Sequence, residues 1–240
     1  MALQLIDFDN LAKTLTYCIY IMGYTDTEES KNEFIEYINK TYGAGIIHSL
    51  IDKIAKMINA NILDVTEYDY YPYGASINAL TSDLQLSNDD ICAHLDKSHI
   101  SVHTYPEIGK ESSVSYIRID LEISTCGSIS PLKSLPIIID YFDPDVMTYD
   151  FVIRGVTKNG KGKKIYTCDG YKRNINDFNK TQAKRYHIIK NSQYRKNGVE
   201  VNMLKRKKEF NRLIVGEIKM DRDTLDEIHT EAKKICYRRS

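Results

Sequence analysis

The segment Val114–Ser124 carries the pattern that most restricts how this chain can fold. Its apolar residues Ile117, Ile119, Leu121 and Ile123 fall at every second position. Successive side chains of a β-strand point to opposite faces, so a period of two predicts a strand with one apolar face. The chain is therefore expected to contain a β-sheet that buries this face.

Further segments have the residue types of strands, namely 61–71, 75–80, 100–104 and 147–157. The first two are separated by Tyr71-Pro72-Tyr73-Gly74, in which proline and glycine favour a turn. Strands joined in this way are predicted to be antiparallel. A weaker alternation indicates a short first strand at 3–8, and Asn159-Gly160-Lys161-Gly162 is predicted to be a turn.

Helices are predicted where apolar residues recur three and four positions apart. These segments are 11–22, 27–42, 46–58, 131–141, 174–191 and 224–237. Gly23 suits the end of the first helix, and Gly43 breaks the second. Helices mixed with hairpin-linked strands indicate an α/β (α+β) chain, and residues 1–240 are expected to form a single domain.

Composition excludes several classes of protein. The 33 basic and 33 acidic residues balance, so no overall field favours nucleic acid or an anionic membrane as a partner. The sequence contains no apolar stretch of about 18 residues, so no transmembrane helix is expected. Met1–Gln4 lacks the features of a signal peptide. The five cysteines include no C-x-x-C pair, which fits free thiols in a cytoplasmic protein.

The segment His94–Glu107 is rich in groups that can carry chemistry, because it holds three of the six histidines. The residues alone leave two interpretations open. The histidines can be ordinary surface groups of a polar strand. Alternatively, His99 and His103 share strand parity and could hold a metal ion, although no acidic or cysteine ligand follows at a diagnostic spacing.

Two later segments are also distinctive, namely Leu121–Gly127, which contains Ser-Thr-Cys-Gly, and Ile129–Lys133. Together with His94–Glu107, they resemble the active-site segments of bacterial pyruvoyl-dependent S-adenosylmethionine decarboxylases, especially the longer enterobacterial type. The similarity runs from about residue 3 to residue 158. It includes Gly74-Ala75-Ser76, Ile153-Arg154-Gly155, and an N-terminal segment that resembles a helix of the family.

The resemblance implies that the chain is a proenzyme that cuts itself between Lys97 and Ser98. Serine suits this reaction because its oxygen is first a nucleophile and then a leaving position. Cleavage would leave a β chain, 1–97, and an α chain, 98–240, whose first residue becomes a pyruvoyl ketone that serves as the electron sink. The resemblance assigns His103 as the proton acceptor in processing and Ser76 as support for the oxyanion.

The resemblance also implies roles in decarboxylation. Cys126 would donate a proton to the substrate carbon, as a thiol can near neutral pH. Tyr70 would stack on adenine. No motif of the family assigns Glu107 or Asp120, which are candidate carboxylates for the sulfonium or amine of the substrate or for shaping the site. The implied fold is a sandwich of antiparallel β-sheet with helices packed on its outer face. Subunits would form a homo-oligomer, and the longer bacterial type needs a divalent cation, usually Mg²⁺.

The implied function is conversion of S-adenosylmethionine to its decarboxylated form and carbon dioxide, for spermidine synthesis. One alternative keeps the pyruvoyl chemistry and changes the substrate to arginine or ornithine, since any α-amino acid can react with the ketone. A second alternative is a non-catalytic homologue or an activating partner, which would remain uncut.

Overall fold

A computed structural model describes residues 10–82, 98–110, 112–126, 130–158, 164–165, 184–195, 197–210 and 221–237. The strands are β1 (Asn10–Tyr24), β2 (Asn61–Asp69), β3 (Ala75–Ser82), β4 (Ser98–Glu107), β5 (Val114–Cys126), β6 (Val146–Lys158), β7 (Lys164–Ile165), β8 (Tyr186–Arg195) and β9 (Gly198–Lys205). The helices are α1 (Glu28–Tyr42), α2 (Ala44–Ile58), α3 (Leu135–Phe142) and α4 (Arg222–Tyr237), with 3-10 turns at Pro131–Ser134 and Lys207–Glu209. The strand predicted at 3–8 and the turn predicted at 159–162 lie outside the described residues.

The described strands form one antiparallel sheet in the order β2-β3-β4-β5-β1-β6-β9-β8, and β7 pairs with β6. Helices α1 and α2 connect β1 to the edge strand β2, so the chain leaves the centre of the sheet and returns to it from the edge. The predicted α+β class, an antiparallel sheet with helices packed on it, is confirmed.

The helix predicted at 11–22 is wrong, because this segment is the central strand β1. β1 pairs with both β5 and β6 and is covered on both faces. Leu15, Tyr17 and Ile19 are buried on one side, while Tyr20 and Met22 are buried on the other. A strand with two buried faces is apolar at nearly every position, and periodicity cannot distinguish such a run from a buried helix.

The helix predicted at 174–191 is wrong over residues 186–191, because Tyr186–Arg195 is strand β8. It pairs with β9, a strand that was not predicted from the sequence. The alternation of Val199, Val201 and Met203 was the available signal for β9. β8 lacks such a pattern and has register irregularities, so its conformation depends on pairing with β9.

Helices α1, α2 and α3 cover one face of the sheet, called the helix face here. Their buried residues Phe34, Ile51 and Ile138 pack in one core with Ile119 and Leu121 of β5. The helices were predicted at 27–42, 46–58 and 131–141. α1 agrees within one residue at each end, and α2 starts two residues before its predicted start. The third range begins with the 3-10 turn Pro131–Ser134, and α3 ends one residue beyond it. Since α1 and α2 have strong local patterns, such as the Thr27–Ser30 capping box, the sequence could define them.

The opposite face is partly covered by α4, the helix predicted at 224–237. Ile228, Ala232 and Cys236 of α4 are buried in a second core with Tyr20 and Met22 of β1. The remainder of this side is called the polar face. Its residues are Ser76, Asn78, His99, Ser101, His103, Asp120, Glu122, Ser124 and Cys126, which alternate with the residues of the helix face. No described helix is long and apolar enough to cross a membrane.

A buried cluster of ion pairs connects the end of β9 to the segment that follows α3. The side chain of Lys205 is 2% exposed, and its Nζ donates to the Asp143 carbonyl at 2.7 Å and to Asp145 Oδ1 at 3.0 Å. Asp145 Oδ2 also accepts the N–H of Met22 at 2.8 Å, and Arg185 bonds to Asp143. The ammonium of Lys205 therefore compensates two carboxylates that are almost out of water.

We expect Lys205→Met to lower the free energy of unfolding by about 3–5 kcal/mol, because it removes the buried cation that bonds to Asp145 and one of the two cations that bond to Asp143. Urea unfolding followed by circular dichroism measures this loss. Lys208→Met is the control, because the Lys208 side chain is 75% exposed and such a change usually shifts stability by no more than about 0.5 kcal/mol. Equal unfolding midpoints for the two variants would contradict the assigned role of Lys205.

Candidate functional site

Ser98 is the first residue of β4 and is 3% exposed. It lies opposite Thr81 of β3, and its Oγ accepts the backbone N–H of Cys126 at 3.2 Å. A hydroxyl oxygen held by an N–H donor has a fixed position, as a nucleophile needs. Lys97, the other side of the predicted cleavage site, lies outside the described residues.

Cys126 is the last residue of β5 and is half-buried. Its parity in β5 matches that of Glu122 and Ser124, so its side chain belongs to the polar face. The structure therefore holds the Ser98 hydroxyl against the backbone of Cys126, while the Ser98 side chain faces the helix side and the Cys126 side chain faces the polar face. These two residues are called the first half-site.

Ser76 and His103 form a second half-site. They are direct partners in the antiparallel register of β3 and β4, which places their Cβ atoms about 5 Å apart on the polar face. Ser76 is 9% exposed, and the His103 ring stacks on Tyr105 with 6.3 Å between ring centroids. Asp120 lies opposite His103 on β5 and pairs with Arg118 at 3.3 Å. The candidate carboxylate Asp120 thus belongs to this half-site.

Within one chain the two half-sites do not meet. Ser98 and His103 are five residues apart in β4, which is about 16 Å along a strand. Their side chains also have opposite parity, so Ser98 faces the helix side and His103 the polar face. His103 cannot reach the Ser98 hydroxyl in the described chain without loss of strand β4.

Tyr70 lies next to the second half-site, at the turn between β2 and β3. Its ring is 44% exposed and meets Tyr68 edge to face at 5.3 Å, and Tyr68 lies opposite Ser76. Gly74 closes this turn with φ of 101°, and its carbonyl accepts the Tyr70 N–H at 2.8 Å. A Cβ on Gly74 would lie 2.9 Å from the Thr104 carbonyl, so the turn requires glycine.

Glu107 is set apart from both half-sites. It is the last residue of β4 and is exposed, four residues or about 13 Å beyond His103 along the strand. The geometry of one chain gives it no contact with Ser98, Cys126, Ser76 or His103.

A polar network that was not predicted from the sequence lies between the half-sites. His99 Nε2 is 3.0 Å from Glu122 Oε1, and Glu122 Oε2 accepts from Thr16 Oγ1 at 3.4 Å. Beside it, Arg154 donates to Thr14 Oγ1 at 2.6 Å, and Thr14 shares a 3.3 Å hydrogen bond with Ser124. The signal was the alternation of Asp120, Glu122 and Ser124 with the apolar residues of β5, which places them on the same face as His99.

The structure gives His99 and His103 separate partners, Glu122 and Tyr105 respectively. In the part of the chain that is described, no three His, Cys, Asp or Glu side chains converge as ligands for a metal ion. The metal interpretation of the two histidines therefore gains no support from their geometry.

The described cysteines differ in their exposure to reagents. Cys18 and Cys236 are buried, and burial raises the pKa of the Cys236 thiol to about 11, whereas Cys126 is half-buried. Since the thiolate is the reactive form, iodoacetamide at pH 8 is expected to alkylate Cys126 at least about tenfold faster than Cys236. Peptide mass spectrometry after timed quenching measures both rates, and a Cys126→Ser chain identifies the Cys126 peptide. Faster alkylation of Cys236 would contradict the described packing of α4.

Comparison with known proteins gives consistent matches. The family model for S-adenosylmethionine decarboxylase matches residues 39–155. The chain is 32% identical to the S-adenosylmethionine decarboxylase proenzyme of Chromohalobacter salexigens, over 99% of this chain and 98% of that protein. It is 38% identical to the proenzyme of the same name from Marinobacter nauticus, over 87% of this chain and 84% of that protein. A solved adenosylmethionine decarboxylase from Aquifex aeolicus aligns with a TM-score of 0.40 and 17% identity, over 65% of this chain and 100% of that chain.

Proposed function

Because the chain belongs to the S-adenosylmethionine decarboxylase family, we propose that it is the proenzyme of a pyruvoyl-dependent decarboxylase that acts on S-adenosylmethionine. The observation that carries this proposal is the hydrogen bond between the Ser98 hydroxyl and the N–H of Cys126. It holds the predicted nucleophile of self-cleavage against the backbone of the residue whose thiol is predicted to donate a proton in decarboxylation.

In the proposed cleavage, the Ser98 hydroxyl attacks the Lys97 carbonyl carbon, and the amide becomes an ester. Removal of the Ser98 α-proton expels the upstream carboxylate by β-elimination, and hydrolysis of the product releases ammonia and leaves a ketone at position 98. The burial of Ser98 and the fixed position of its Oγ support this role, because a rigid nucleophile loses little freedom on reaction. The residues around Ser98 thus fit a self-derived ketone.

A ketone at position 98 would supply the electron sink for loss of carbon dioxide. Cys126 would then protonate the α-carbon, and its side chain lies on the polar face, where a substrate can approach. The helix side of this region is filled by buried Ala79, Ile100 and Val102. Tyr70 offers an exposed ring for stacking with adenine, worth about 1–3 kcal/mol.

The separation of the half-sites supports a homo-oligomer in which two copies complete each site. In a symmetric dimer the same surface of each chain forms the interface. If the polar faces of two copies meet, Cys126 and the start of β4 in one chain can lie against Ser76 and His103 of its partner, and the symmetry produces two equal sites. The Ser98 side chain, which faces the helix side in the described chain, would have to turn toward the polar face for cleavage. The polar face is available for this contact, because α1–α3 pack on the other side and α4 packs mainly over β1, β6 and β9.

Two further features belong to this proposal. Among the described residues, Cys18, Cys126 and Cys236 form no disulfide, which fits a reducing cytoplasm. Mg²⁺ is proposed as a requirement on the resemblance to the longer bacterial type alone, and no residue is assigned to it.

Mass spectrometry of the purified protein tests the proposal. We expect a β chain that ends at Lys97 and an α chain that starts with a pyruvoyl group at position 98. Release of labelled carbon dioxide is then compared for S-adenosylmethionine, arginine and ornithine. An uncut chain would refute the proposed cleavage, and equal or greater release from arginine or ornithine would refute the proposed substrate.

A further inference from the structure

His99 and Glu122 form a pair on the polar face with a third residue behind it. The His99 Nε2 atom is 3.0 Å from Glu122 Oε1, and Thr16 Oγ1 donates to the other carboxylate oxygen at 3.4 Å. The Nδ1 atom of His99 has no hydrogen-bond partner among the described residues. A carboxylate at one ring nitrogen holds the proton there and leaves the other nitrogen unprotonated and basic.

This pair is adjacent to the position of the proposed ketone. The backbone nitrogen of His99 is bonded to the carbonyl carbon of residue 98, and the His99 side chain is 46% exposed on the polar face. The Ser98 side chain of the uncut chain faces the helix side, which is filled by the buried core. A substrate that reaches position 98 after cleavage would therefore have to come from the polar face, on which His99 lies. The amine of a bound substrate would therefore pass close to the His99 ring.

Reaction of an amino acid at a ketone requires the free amine, because an ammonium nitrogen has no lone pair. The amino group of the substrate is protonated near neutral pH, so some group must take its proton. Cys126 has a different task in the proposed mechanism, since it must hold a proton for the α-carbon. A separate base keeps the two proton transfers independent.

We propose that His99, oriented by Glu122, is the base that takes this proton from the substrate ammonium. The inference rests on the pyruvoyl function proposed above. The proton passes from the ammonium nitrogen to Nδ1 of His99, and the nitrogen lone pair becomes available to form the bond to the ketone carbon. The imidazolium then returns this proton to the carbonyl oxygen, and a second proton passes from the attacking nitrogen to the same oxygen. The oxygen leaves as water, and the nitrogen keeps its third proton in the C=N bond that forms. Glu122 acts through His99 and is a positioning residue.

The test measures the rate at which each cut enzyme binds labelled S-adenosylmethionine covalently. Borohydride stops the reaction by reducing the substrate–ketone adduct, and mass spectrometry then gives the fraction of α chain that carries substrate. His99→Asn is expected to be cut normally and to capture substrate about 100-fold more slowly, the usual contribution of a general base. Added imidazole is expected to restore part of the rate. The rate of substrate capture by Glu122→Gln is expected to lie between the rates of His99→Asn and the unsubstituted chain.

His48→Asn is the matched control. His48 also pairs with a glutamate, Glu67, at 3.0 Å and with similar exposure, but this pair joins α2 to β2 away from the polar face. It is expected to capture substrate at the normal rate. A second measurement does not need activity. In an uncut Ser98→Ala chain, ¹⁵N NMR of the histidine rings is expected to show His99 protonated at Nε2 and unprotonated at Nδ1.

The outcomes separate this inference from the function on which it rests. If the unsubstituted chain is cut and captures substrate, and His99→Asn does so equally fast, His99 is not the base. Failure of His99→Asn to be cut would assign the residue to processing and also overturn the inference. An Nδ1-protonated ring in the uncut chain would remove the proposed acceptor. If the unsubstituted chain itself is not cut or captures nothing, the proposed function fails first.

Discussion

A Ser98→Ala chain is expected to remain a single species of 27.7 kDa, whereas the unsubstituted chain separates into fragments of about two-fifths and three-fifths of that mass. The reason is that alanine has no oxygen to attack the Lys97 carbonyl or to leave in the elimination. Without cleavage no ketone forms, and carbon dioxide release is expected to fall to background. Denaturing electrophoresis measures cleavage, intact-mass measurement detects the ketone, and labelled carbon dioxide measures the activity.

Folding must be shown to survive this substitution. Ser98 is buried, but alanine is smaller and removes only the acceptor of the Cys126 N–H, so the circular dichroism spectrum is expected to be unchanged. Ser49→Ala, on an exposed turn of α2, is the control and is expected to be cut fully. Cleavage between residues 97 and 98 in the Ser98→Ala chain would show that another group is the nucleophile.

Two inactive chains are expected to restore one another if the site is shared between copies. A His103→Ala chain produced alone should remain uncut, since no copy supplies the proton acceptor. Produced together with a Ser98→Ala chain, it can form mixed dimers in which its own Ser98 meets the intact His103 of the other chain. With random pairing of equal amounts, about half of the His103→Ala chains should then be cut. Tags of different mass distinguish the two chains by mass spectrometry.

The control is production of the His103→Ala chain together with a chain that carries both Ser98→Ala and His103→Ala. No dimer of this mixture contains His103, so no cleavage is expected. Cutting of the His103→Ala chain in this control, or when it is produced alone, would show that His103 is not the proton acceptor. Absence of cutting in the first mixture, with mixed dimers demonstrated by co-purification, would contradict the shared site.

The elements that the sequence predicted well have strong local signals. α1 has a capping box and α2 a continuous apolar stripe, so their bounds could be read with little reference to the rest of the fold. β5 is buried on one face along most of its length and shows clear alternation. β1 was mistaken for a helix because both of its faces are covered, and its conformation depends on pairing with β5 and β6.

The sequence by itself determined which groups are present and in what order: a Lys-Ser bond, a histidine five residues later and a cysteine in Ser-Thr-Cys-Gly. These residue types and their resemblance to one family were enough to predict a chemistry. Only the tertiary structure decided which groups meet. Strand pairing places Cys126 beside Ser98 and Ser76 beside His103, although each pair is distant in sequence. Ser98 and His103 are separated in β4 for two reasons: the strand rises about 3.3 Å per residue, and residues an odd number of positions apart point to opposite faces.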